Sequence, residues 1–131
     1  MPSLLFWGDR MKYFTINDFR CRHCDELPEN GMNQILLDKL DALRESVGVP
    51  VYISCGYRCP THNAEVGGVE NSQHVLGNAA DIYTDNLSVD ELASAAIEAG
   101  FDGIGRYYGD EFVHVDVRDN GESPNEYTWN G

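Results

Sequence analysis

"SQHVLGNAADI", residues 72–82, sets one histidine seven residues before one aspartate and fills the interval with small residues. A surface loop needs no such spacing, and a buried strand avoids an aspartate that lacks a partner. One reading accounts for both ends. His74 and Asp81 share a metal ion, and Gly77, Ala79 and Ala80 let the backbone pass close to it. That reading needs a third ligand and an acid–base group elsewhere in the chain.

"FVHVDV" (112–117) supplies the ligand. Strand alternation sets Phe112, His114 and Asp116 on one face and Val113, Val115 and Val117 on the other. With the valines packed inward, His114 and Asp116 point at a site. His74, Asp81 and His114 are nitrogen and oxygen donors, and three protein ligands leave a fourth position for water, as in catalytic zinc centres.

The flanking pattern mixes helices and strands without a βαβ rhythm, which predicts an α+β fold: a central antiparallel sheet with flanking helices. Apolar residues from Met32 to Val47 recur at three- and four-residue steps, an amphipathic helix ended by Gly48. "VPVYIS" (49–54) reads as a strand, "CPTHNAEVGG" (59–68) as a short helix with Pro60 in its first turn, and "AADIYT" (79–84) as a second strand. Ser88 and Glu91 form a capping box for a helix that closes on Gly100. "FDGIGRYYGDEFVHVDVR" reads as two strands joined at Gly109–Asp110. Residues 1–12 are expected to be an extension, 13–120 the domain, and 121–131 a tail.

Bulk properties narrow the partners. The chain has 131 residues and a formal charge of −13, from 22 acidic and 9 basic side chains. A nucleic-acid partner is therefore not expected, because phosphate contacts need clustered Lys and Arg. No stretch approaches the roughly 18 apolar residues of a membrane span, so stable membrane insertion is not expected either. The segment "MPSLLFWGDRMKYF" lacks the basic start and apolar core of a signal peptide, so the expectation is a monomer that is cytoplasmic when made. Cys21, Cys24, Cys55 and Cys59 are open to three states: reduced thiols, a disulfide, or a second, structural zinc. His23 and His62 read as surface histidines.

"SQHVLGNAAD" followed by "FVHVD" resembles the zinc D-Ala-D-Ala carboxypeptidase family (peptidase family M15), whose pattern is S-x-H-x-x-G-x-A-x-D and then a late histidine. "SCGYRCPTHNAEVGG" (54–68) resembles the same family's S-G-Y-R-S segment, with Cys55 inserted before the glycine and Cys59 after the arginine. The resemblance runs from about Phe14 to Arg118 and is nearest to the small single-domain branch that includes phage endolysins.

The resemblance implies a hedgehog/DD-peptidase-like fold, one catalytic Zn2+ on His74, Asp81 and His114, and substrate contacts from Arg58 and Ser72. It implies hydrolysis of peptidoglycan stem peptides or crosslinks, with action at the cell wall after release. Several branches carry an acid three residues before the last histidine, here Glu111. This makes Glu111 the favoured general base and Asp116, on the His114 face by parity, the runner-up. Two other classes stay open: a zinc-fold binding module without catalysis, and a phage structural component.

Overall fold

The structure is a computed structural model that describes residues 11–69 and 72–131. The extension expected over 1–12 therefore lies outside the described residues except for Met11 and Lys12. Lys12 is held to the first helix, donating its backbone N–H to Asp41 at 2.8 Å and its ammonium to Glu45 at 3.1 Å.

After a 3-10 turn at Ile16–Phe19, the chain forms α1 (Gln34–Val47), β1 (Tyr52–Cys55), α2 (Pro60–Glu65) and β2 (Ala79–Tyr83). It continues with α3 (Val89–Ala99), β3 (Gly103–Tyr107), β4 (Phe112–Asp116) and β5 (Tyr127–Asn130). The α+β class is as expected. Asn33 caps α1 by accepting the Ile35 N–H at 2.9 Å, so the helix starts two residues after Met32. Gly48 ends α1 at φ 68, a left-handed value that suits a residue without a side chain. In α3 the Ser88–Glu91 capping box is formed in both directions.

The sheet order is β1-β2-β4-β3-β5. The first three pairings along this order are antiparallel, but β5 runs parallel to β3, so the sheet is mixed rather than wholly antiparallel. Within the expected tail over 121–131, Tyr127–Asn130 forms the edge strand β5. Buried Asp102 steers the chain there, accepting backbone N–H bonds from Asp119, Gly121 and Ser123 at 2.8–2.9 Å.

One sheet face carries the core. Val113, Val115 and Val117 are fully buried with Ile82 and Ile104, joined by Leu36, Leu40 and Leu43 of α1 and Leu92 and Ala96 of α3. The packed helices leave the opposite face of the sheet to carry polar side chains, and strand alternation assigns them to it.

Candidate metal centre

A single rung crosses all five strands on that polar face. Cys55 of β1 pairs with Asp81 of β2, Asp81 with His114 of β4, His114 with Gly105 of β3, and Gly105 with Trp129 of β5. Register alone therefore sets Asp81 beside His114. The turn before β2 brings in His74, whose backbone N–H is held by the Ser72 hydroxyl at 3.2 Å. His74, Asp81 and His114 are 4–8% exposed.

The donors meet through Asp81: the three-donor group within 4.8 Å is Cys55, His74 and Asp81, and His114 approaches it from the Asp81 side alone. His74 Nε2 and His114 Nδ1 each lie 3.2 Å from Asp81 Oδ1. Neighbouring ligands of a tetrahedral ion with bonds of 2.0–2.1 Å are about 3.3 Å apart, so these spacings match two edges of a zinc tetrahedron. The second nitrogen of each ring is tied back. His74 Nδ1 meets the Gly56 carbonyl at 2.9 Å, and His114 Nε2 meets Asp116 Oδ2 at 2.8 Å. Each acceptor can take a proton from the far nitrogen, which turns the near one toward Asp81; on His74, whose pKa is raised, a cation would displace the Nε2 proton.

Asp116 is fully buried and takes a bidentate pair from Arg118, Nε at 3.0 Å and Nη2 at 2.7 Å. Burial would raise its pKa, but His114 and Arg118 hold the carboxyl well below the usual range. Burial acts the same way on Asp81 and is outweighed by His114 and His74. For His74, burial favours the neutral ring, yet Asp81 and Cys55 raise its pKa to about 10. Both carboxylates are thus anionic, and the concentration of negative charge suits a cation.

Room for the site comes from β3. A side chain at Gly103 would collide with the Asp116 carboxylate, and one at Gly105 with the Trp129 indole. Trp129 instead packs 5.0 Å from the His114 ring and donates its N–H to the Tyr107 hydroxyl at 2.9 Å. The donors open into a cleft of ≈ 470 Å³ whose lining includes Arg58, Ser72, Arg118 and Trp129. Arg58 is braced on Asn63 Oδ1 at 3.1 Å. A chain with a strong acidic excess therefore directs two of its nine cations at this cleft.

Glu111 stands apart from this group. It occupies the turn before β4 at φ 57 and is exposed. Its side chain lines a larger hollow of ≈ 610 Å³ beyond Phe112, beside Tyr83, Asp85 and Asp110. Neither carboxylate read as a base faces the donors freely: Asp116 is engaged by His114 and Arg118, and Glu111 borders the adjacent hollow.

The four cysteines divide. Cys21, Cys24 and Cys59 can bring their sulfurs within 4.8 Å of one another, while Cys55 falls with His74 and Asp81 in a second such group. The four-cysteine zinc set is corrected on this point. Cys55 lies on the rung beside Asp81, with its Sγ 3.6 Å from His74 Nδ1, so strand register commits it to the histidine site. His23 is exposed and His62 partly so, as expected of surface histidines, and their rings stack at 5.4 Å beside Cys59.

Sequence reasoning missed Arg118, Trp129 and the Gly56 carbonyl. The alternate glycines of "GIGRY", opposite "FVHVD", were the available signal for space beside His114. Nothing local announced that a strand fifteen residues later would return to fill it.

Residues 12–116 match the model of the peptidase M15 family. Zinc D-Ala-D-Ala carboxypeptidase of Streptomyces albus G is 41% identical over 64 residues, 48% of this chain and 25% of that protein. Peptidoglycan L,D-endopeptidase MepK of Escherichia coli strain K12 is 31% identical over 89 residues, 63% of this chain and 49% of that protein. The matched region thus spans between a quarter and about half of these relatives.

Proposed function

The chain belongs to the peptidase M15 family, and from that premise we propose that it is a zinc-dependent peptidase hydrolysing peptide bonds in peptidoglycan stem peptides or crosslinks. The observation that carries the reading is the pair of 3.2 Å approaches of His74 Nε2 and His114 Nδ1 to Asp81 Oδ1, with both outer nitrogens tied back. In this reading His74, Asp81 and His114 hold the ion. Zinc held there would lower the pKa of a water toward about 7 and polarise a scissile carbonyl.

The chain's own groups do the rest. Asp116, fixed by Arg118, keeps His114 in the tautomer that presents Nδ1. Arg58 at the cleft wall pairs with a substrate carboxylate or with negative charge developing on the carbonyl oxygen. Ser72 borders the cleft and contacts the peptide backbone. With Asp116 committed to His114, the base is Glu111, whose side chain must turn past Phe112 to take a proton from the attacking water and pass it to the leaving amine.

The test is digestion of purified peptidoglycan by the full chain with zinc and with chelator, read by mass spectrometry. Chelator-sensitive release of peptide fragments is expected, and their masses identify the bond. Intact peptidoglycan after incubation with the zinc-loaded protein would contradict the proposal. A second reading, a zinc-binding module without catalysis, is favoured by the position of Glu111 in the neighbouring hollow. Under that reading the protein keeps its zinc and releases nothing.

A further inference from the structure

A second convergence of donors lies on the other side of the 55–59 loop. Cys21 and Cys59 are buried and Cys24 is half-buried, and none of the four cysteines is in a disulfide. Cys21 and Cys24 belong to a tight turn. It is closed by Asp25 N–H to the Cys21 carbonyl and by Cys21 N–H to the Glu26 carbonyl, both at 2.8 Å. Asp25 sits at φ 61 to complete it. Cys59 comes from a distant segment and caps α2.

The sulfurs are surrounded by donors. The Cys59 N–H reaches Cys21 Sγ at 3.3 Å, and the backbone N–H groups of Cys24 and His23 also face that sulfur. The His62 N–H reaches Cys59 Sγ at 3.3 Å. Helix caps are ordinarily Ser, Thr, Asp or Asn, because a neutral thiol is a weak acceptor. A thiolate is a strong one. Backbone N–H groups aimed at two sulfurs of a three-sulfur cluster are the surroundings in which thiolates bind a soft divalent ion.

His23 approaches the cluster at Cys59 alone, outside the 4.8 Å spacing that joins the three sulfurs. His23 Nδ1 lies 3.7 Å from Cys59 Sγ. The expected edge between a sulfur and a nitrogen on one tetrahedral zinc is about 3.6 Å. Glu65 lies 3.6 Å from the other ring nitrogen, Nε2, an exposed contact longer than a hydrogen bond.

We propose that Cys21, Cys24, Cys59 and His23 bind a second zinc-class cation in a closed, structural site. Its place in the fold gives it a task. Between the two donor clusters runs the loop that carries Gly56, whose carbonyl orients His74, and Arg58 of the cleft. That loop already rests on the 3-10 turn, with Tyr57 N–H donating to the Phe19 carbonyl at 2.9 Å and no room for a side chain at Gly56. A cation on Cys59 and the Cys21–Cys24 turn clamps the same two segments one residue beyond Arg58. The proposal does not depend on catalysis at the histidine site.

Metal content of the purified full chain tests it, with cobalt substitution as a second readout. Two zinc ions per chain are expected in the parent, one in Cys59→Ser and one in His74→Ala. Thiolate-to-cobalt charge-transfer absorption should survive in His74→Ala and vanish in Cys59→Ser. Cys55→Ser should keep two ions, and His23→Ala should keep the thiolate absorption but lose zinc to chelator at least tenfold faster. A parent with a single zinc that disappears in His74→Ala, no thiolate–cobalt absorption in the parent, or a disulfide within the cluster would each overturn the proposal. Unchanged chelator kinetics in His23→Ala would remove His23 from the set. Loss of an ion in Cys55→Ser, with thiolate–cobalt absorption lost as well, would restore the four-cysteine alternative.

Discussion

Asp116 illustrates how much a single contact decides. Strand parity places it on the His114 face, where a carboxylate could act as a base or as a support. The 2.8 Å bond to His114 Nε2 and the Arg118 fork are the contacts on which the proposed function gives it the role of support. Asp116→Asn should therefore weaken zinc binding by about 10- to 100-fold, the usual cost of removing such a partner. Competition against a chromophoric chelator measures this, and parent-like affinity would count against the role. Glu111→Gln should instead leave zinc content intact and lower kcat by about 100- to 10,000-fold. Equal turnover in steady-state assays would exclude Glu111 as the base. The approach of His74 and His114 to Asp81 was legible because each sits in a motif whose spacing has few other uses. The division between support and base was not, since it depends on side-chain directions two residues apart on one strand.

The elements with local signals were the readable ones. Asn33 and Gly48 bound α1, Ser88 and Glu91 open α3, and the alternating valines of β4 face the core as their period requires. Ser88→Ala should cost about 1 kcal/mol of stability in denaturant unfolding, through loss of the cap. β5 was illegible because its partner β3 is reached through the 117–126 segment. That segment is shaped by Asp102, whose three backbone acceptor bonds no short pattern encodes. Gly105 links the two cases. Its missing side chain admits the Trp129 indole beside His114. Gly105→Ala should displace the ring, shift its fluorescence and destabilise the fold by about 1–3 kcal/mol, as overpacking does. Unaltered emission and stability would show that the indole does not rest there.

At the scale of the molecule, two layers divide the work. Helices α1 and α3 bury the apolar face of the sheet, and its other face carries one rung from Cys55 through Asp81 and His114 to Trp129. The acidic excess of the chain and its two anionic carboxylates at the centre favour a bound cation there. Saturating zinc should accordingly raise the melting temperature of the parent. At a hundredfold excess over Kd the stabilisation is about 2.7 kcal/mol. In His114→Ala that gain should shrink to whatever other sites supply. The most direct test of the central claim is anomalous diffraction at the zinc edge from crystals of the full chain grown with zinc. A peak bounded by His74 Nε2, Asp81 Oδ1 and His114 Nδ1 is expected, with Asp116 still on His114 Nε2. A peak held by Cys55 and His74 without His114, or no peak among these side chains, would contradict it.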